Sequence, residues 1–106
     1  MKELEEFQNG LQWKIQEGKI LTLGITQSAL DQAGALVELE LADEEDEFEA
    51  GDWIGELRGK NSTVDLLAPV NGKIVEVNRE ILEQLSQLED DPTGDAWLLR
   101  AEVVDA

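Results

Sequence analysis

Over most of the chain, apolar and polar positions alternate with the two-residue period of half-buried β-strands. Trp13 and Ile15 alternate with Lys14 and Gln16, and Leu21, Leu23 and Ile25 alternate with Thr22 and Gly24. Val37, Leu39 and Leu41 fall on one predicted face, with Glu38 and Glu40 on the other. Leu99, Ala101 and Val103 repeat the pattern against Arg100 and Glu102. Two stretches change to helical spacing. Thr26 is placed to cap a short helix through Ala29 and Leu30, closed by Gly34. Asn78 is placed to cap a second helix, carrying Ile81, Leu82, Leu85 and Leu88. Asp91-Pro92-Thr93-Gly94 reads as a turn before the last strand.

The centre of the chain predicts a hairpin followed by a corner. Gly51-Asp52 opens a strand, Arg58-Gly59-Lys60-Asn61 has turn composition, and Thr63 to Leu67 returns antiparallel. Ala68-Pro69-Val70-Asn71-Gly72 then turns the chain into Lys73-Ile74-Val75-Glu76-Val77. Short strands with frequent turns predict a mainly β domain spanning residues 1–106, a sandwich or barrel. Trp13, Trp97 and Phe48 are assigned to the core. Trp53 is assigned there too, with an exposed place near a partner face as the alternative.

Charge narrows the function classes. The 106 residues include 25 acidic and 8 basic side chains, a net charge of -17. That balance opposes binding to nucleic acid or an anionic membrane and favours partners with basic surfaces, unless it serves solubility alone. The start, Met1-Lys2-Glu3-Leu4-Glu5-Glu6, is neither a secretory signal nor an Arg-rich transit peptide, so a cytoplasmic location is the expectation. With no histidine, tyrosine or cysteine, most nucleophile–base pairs are unavailable, and an enzyme is not expected. The Asp43-Glu44-Glu45-Asp46-Glu47 run lacks the spaced ligands and mid-loop glycine of an EF-hand. It reads as a solvated loop or docking surface, and no metal site is assigned. Arg58 and Lys60 form a basic pair at the predicted hairpin tip, which reads as a functional loop tip, with a plain solvated turn as the alternative.

Several motifs resemble those of the glycine cleavage system H proteins. Gly24-Ile25-Thr26, Glu40-Leu41, Glu49-Ala50-Gly51-Asp52, Ala68-Pro69-Val70-Asn71-Gly72, Val75-Glu76-Val77-Asn78 and the late Asp91-Pro92 with Gly94-Asp95-Ala96-Trp97 fall in the family's order and spacing. The resemblance implies a lipoyl/biotinyl-type barrel-sandwich hybrid, with two small antiparallel sheets and two short helices. It also implies a carrier whose lipoyl-lysine sits at the hairpin tip and visits lipoyl-dependent enzymes. Similar biotinyl domains flank their lysine with methionine, and Met1 is the only methionine here.

The resemblance fails at its functional point. The family's tip reads Glu-Ser-Val-Lys-Ala, with lysine eight positions before the corner proline and ten after the glycine that opens the hairpin. Asn61 lies eight positions before Pro69 and ten after Gly51. Arg58 stands in place of the family's acidic residue and Gly59 in place of its serine. Asparagine has no amine to form a lipoyl amide, and Lys60 lies one place early. The expectation is therefore a non-catalytic, unlipoylated binding or regulatory module for lipoate-handling or lipoyl-dependent enzymes, with no cofactor. The alternative is a working lipoyl carrier acylated at Lys60.

Overall fold

The computed structural model describes residues 4–8, 10–90 and 96–104. Among these described residues nine strands form: β1 (Glu5–Phe7), β2 (Gln12–Glu17), β3 (Ile20–Ile25), β4 (Leu36–Leu41), β5 (Glu47–Phe48), β6 (Trp53–Gly59), β7 (Thr63–Leu67), β8 (Gly72–Val77) and β9 (Leu99–Val103). Three short helices accompany them: α1 (Gln27–Ala33), α2 (Arg79–Glu83) and α3 (Leu85–Asp90). All strand pairs are antiparallel. One sheet runs β1-β2-β3-β9-β8-β5 and the other β4-β6-β7. The two open sheets form a sandwich and do not close into a barrel.

The alternation predicts the inner faces of β3 and β9. Leu21, Leu23, Ile25, Leu99 and Ala101 are all buried. They pack with Leu39, Ile54, Leu57, Val64, Leu66 and Ile74 from other strands, and with Ala29, Leu30, Ile81 and Leu88 from the helices. Each of the leucine, isoleucine and valine side chains among them contributes about 2 kcal/mol when fully buried. Trp13 is 1% exposed, while Trp97 is only half-buried, with the Arg100 guanidinium carbon 4.2 Å from its ring centroid. Phe48 anchors the acidic loop in the core, as expected.

Three places depart from the period-two reading, each at a register shift that lets one strand carry an extra residue. Between Leu36 and Glu38 the extra residue is Val37, which turns out to solvent at 56% exposure. Between Ile74 and Glu76 it is Val75, also exposed. Between Trp53 and Gly55 the extra residue is Ile54. Ile54 enters the core and Trp53 is left outside at 45% exposure, so the core assignment of Trp53 is corrected to its alternative.

One further correction concerns the helices, and one new feature joins the sheets. The second predicted helix is two helices, broken at Gln84 (φ −131°, ψ 75°), which lets α2 and α3 each pack against β4. Both predicted caps are present: Thr26 Oγ1 accepts from Ala29 N–H, and Asn78 Oδ1 from Ile81 N–H. The predicted turn at Asp91 to Gly94 lies outside the described residues. Gln12, on β2 and almost fully buried, joins the two sheets. Its Nε2 donates to Leu67 O (3.2 Å) and its Oε1 accepts from Leu67 N–H (3.0 Å), so a side-chain amide pairs with the outer edge of β7.

Candidate functional site

The hairpin of β6 and β7 turns at Lys60 to Ser62, closed by Gly59 N–H donating to Ser62 O at 3.0 Å. The turn rests on the C-terminal end of α1. A helix leaves its last four carbonyls without intrahelical partners, and the tip supplies partners for two of them here, Gln32 O and Ala33 O. Ala33 O accepts from Asn61 N–H (2.9 Å) and Ser62 N–H (3.3 Å). Gln32 O accepts from Ser62 Oγ (2.8 Å), and just beyond the helix Ala35 O accepts from Lys60 N–H (2.9 Å).

Two glycines permit this approach. A Cβ on Gly59 would overlap the Ala33 carbonyl, so a side chain there is incompatible with the observed spacing. Gly34 closes α1 at φ +82°, a left-handed backbone that suits glycine, and the Asn61 carboxamide lies over it. A Cβ on Gly34 would come within 2.7 Å of Asn61 Nδ2. Asn61 therefore folds back toward the helix end.

Lys60 is exposed and has no ion-pair partner among the described residues. Arg58 is different. Its guanidinium lies 3.8 Å from Glu38 Oε1 and 3.5 Å from Glu56 Oε2, across and along the sheet. The basic pair read from the sequence is thus one exposed amine and one guanidinium already matched by two carboxylates.

The turn and corner motifs around the hairpin lock together at its base. Asp52 Oδ2 accepts from Glu49 N–H (2.8 Å), and Gly51 N–H donates to Ala68 O (2.8 Å). Asn71 Oδ1 accepts from Ala50 N–H (2.8 Å), tying the Glu49–Asp52 turn to the Pro-Gly corner. These bonds fix where β6 and β7 start and hence where the tip lands. No group of three or more His, Cys, Asp or Glu side chains is arranged to hold a metal ion among the described residues. No helix among them is long and apolar enough to cross a membrane.

Comparison with known proteins decides the family. The family model for the glycine cleavage H-protein matches residues 5–106. The chain belongs to the glycine cleavage H-protein family. It is 40% identical over 89 residues to the glycine cleavage system H protein of Trichormus variabilis, covering 84% of this chain and 68% of that one. It is 38% identical over 92 residues to that of Carboxydothermus hydrogenoformans, covering 87% and 71%. With the Rippkaea orientalis protein, 37% identity over 87 residues covers 82% of this chain and 66% of its relative. The chain thus spans about two thirds of the length of these relatives. A crystal structure of the Mycobacterium marinum H protein superposes with a TM-score of 0.86 at 28% identity, over 97% of this chain and 85% of that one.

Within this H-protein-family fold, both tip residues singled out from the sequence, Lys60 and Asn61, stand where the hairpin turns. Two features escaped the sequence reading, the Gln12 bridge and the docking of the tip on α1, and the exposure of Trp53 was carried only as the alternative. The first two are long-range pairings with no local signature. The small residues Gly59, Ala33 and Gly34 are the one trace in the sequence of a close backbone approach.

Proposed function

We propose that this chain is a glycine cleavage H-protein-family domain that carries no lipoyl group at its hairpin tip. It acts as a non-catalytic binding or regulatory module toward lipoate-handling or lipoyl-dependent enzymes. A lipoyl amide joins the lipoate carboxyl to a lysine ε-amine. At the position matched to the family lysine by both flanking motifs stands Asn61, with its backbone N–H on Ala33 O and its carboxamide over Gly34. That residue carries the reading, because it offers no nucleophilic amine and does not fit the group. Arg58 and Gly59 further remove the acidic residue and hydroxyl that precede the family lysine, features against which an unsuitable acceptor is rejected. The chain's large negative charge supports a partner with a basic face.

The second reading is a lipoyl carrier acylated at Lys60. It is favoured by the exposure of that side chain and by its lack of an ion-pair partner among the described residues. Intact mass separates the two. The wild-type protein, coexpressed with lipoate ligase and supplied with lipoate, is expected to keep its unmodified mass, and Asn61→Lys is expected to gain a lipoyl adduct. An adduct mapped to wild-type Lys60 overturns the first reading in favour of the second.

A further inference from the structure

Trp53 lies at the opposite end of β6 from the tip. The six residue steps from Trp53 to Gly59 separate the two by about 20 Å along the strand. Two adjoining clefts open there, one on each side of the two-residue strand β5, and they share Glu47 and Phe48. The first, of about 340 Å³, has a floor of Phe48, Ile54 and Ile74, with Trp53 exposed at its edge and Glu40, Asp43, Asp46 and Glu47 around it. The second, of about 410 Å³, adds Glu49, Asp52 and exposed Val104. Among the described residues no lysine or arginine lines either cleft. The cation closest in register is Lys73, the cross-strand partner of Glu47, and it has no ion pair among the described residues.

The same molecule contains a completed version of this chemistry. On β9 and β8, Arg100 lies over the Trp97 ring and bonds Glu76 Oε1 at 3.0 Å. An indole face and a carboxylate there share one guanidinium, which suits both through its flat cation and directed N–H groups. Around Trp53 the indole and carboxylates are present, and among the described residues no cation stands over the ring. Exposed tryptophan beside an apolar floor is a costly surface for a solitary protein and a frequent centre of binding energy at interfaces.

We infer that the paired clefts at the base of the hairpin dock a basic segment of a protein partner, with an arginine laid on Trp53 and its guanidinium against the carboxylates of the rim. The inference rests on the reading of this chain as a binding module and names the surface that binds. It places recognition away from the tip. Whether the tip is acylated therefore does not enter the outcome.

The three tryptophans give three indole N–H resonances, and only Trp53 is exposed among them. The probe is a blocked hexapeptide of alternating arginine and glycine, titrated into the isotope-labelled full chain. Its counterpart carries citrulline for arginine, which keeps the shape and removes the charge. The arginine peptide is expected to shift the Trp53 indole and the amides of residues 43–52, leaving the Trp13 and Trp97 indoles in place. The citrulline peptide is expected to produce no shift. Trp53→Ala is expected to weaken binding about fivefold, and its unchanged Trp13 and Trp97 indoles report that it is folded. Glu40→Gln with Asp43→Asn is expected to weaken binding similarly. Shifts spread evenly over acidic residues elsewhere, or undiminished affinity in Trp53→Ala, would overturn the inference. Because the titration uses protein of confirmed unmodified mass, its failure leaves the unlipoylated tip standing, and a lipoyl adduct at Lys60 leaves the cleft result standing.

Discussion

Gly59 and Asn61 act on the same few atoms at the end of α1, but their substitutions have unequal expected consequences. Gly59→Ser restores the serine of the H-protein pattern, but its Cβ would overlap the Ala33 carbonyl. Either the tip lifts or the helix end shifts. A loss of about 1–3 kcal/mol in urea unfolding is expected, the range for overpacking a close contact. Asn61→Lys needs only to withdraw a carboxamide from Gly34 at an exposed site and is expected to change stability by less than about 0.5 kcal/mol. Equal stabilities for the two variants would show that the tip is not held against α1 as described. Restoring the whole family tip with Arg58→Glu as well would set a carboxylate beside Glu38 and Glu56, which now share a guanidinium. The residues at the tip were legible because two flanking motifs count to the same position. Gln12 was not, since a polar residue at a strand start looks like any solvated one. Gln12→Ala would leave the Leu67 N–H and C=O without their partner, at a cost of about 2 kcal/mol in the same unfolding measurement.

The helix starts marked by capping residues were read correctly, whereas the break at Gln84, the two shortest strands and the register shifts were not. Thr26 and Asn78 announce α1 and α2 because a side-chain oxygen next to unpaired helix amides is a local arrangement. Asn78 also donates from Nδ2 to Trp97 O at 2.8 Å, joining the cap to the approach to β9. Asn78→Ala is expected to lower stability by about 1–2 kcal/mol in denaturant unfolding, the cap and this bond together. The strands β1 and β5, only three and two residues long, carry no alternation to detect and exist through their neighbours β2 and β8. The three register shifts have the same character. Each is set by how many residues the facing strand supplies, and a one-residue difference exchanges the faces. That is why Ile54 takes the inner place and Trp53, assigned to the core from the sequence, stays outside. The latch between the hairpin tip and α1 makes its own prediction. The amides of Lys60 and Asn61 donate to Ala35 O and Ala33 O. They are expected to be protected in hydrogen exchange despite their place in an exposed turn, whereas a free tip would exchange them as fast as a loop.

Across the whole molecule, 25 acidic side chains face 8 basic ones, so even complete pairing leaves 17 carboxylates without a cation. Of the basic residues, Lys14, Arg58, Arg79 and Arg100 form the ion pairs seen among the described residues, and each of those pairs is at least partly exposed. Such pairs contribute little, about 0–1 kcal/mol each. The fold therefore carries a net self-repulsion that hydrophobic burial must exceed. Salt acts on this repulsion and on docking in opposite directions. Raising ionic strength from about 0.01 M to about 1 M shortens the screening length from roughly 30 Å to roughly 3 Å. Repulsion among carboxylates spread over the surface is then lost, and the melting temperature is expected to rise. Attraction between the acidic clefts and a cationic segment is lost over the same range, so the arginine peptide is expected to bind more weakly as the protein becomes harder to melt. The two curves are measured on one sample series by thermal unfolding and by peptide titration. Sodium and potassium chloride should give the same result, since screening depends on ionic strength and a specific cation site would distinguish them. A melting temperature that rises together with salt-independent peptide binding would assign the charge to solubility and leave the Trp53 cleft to apolar contact alone.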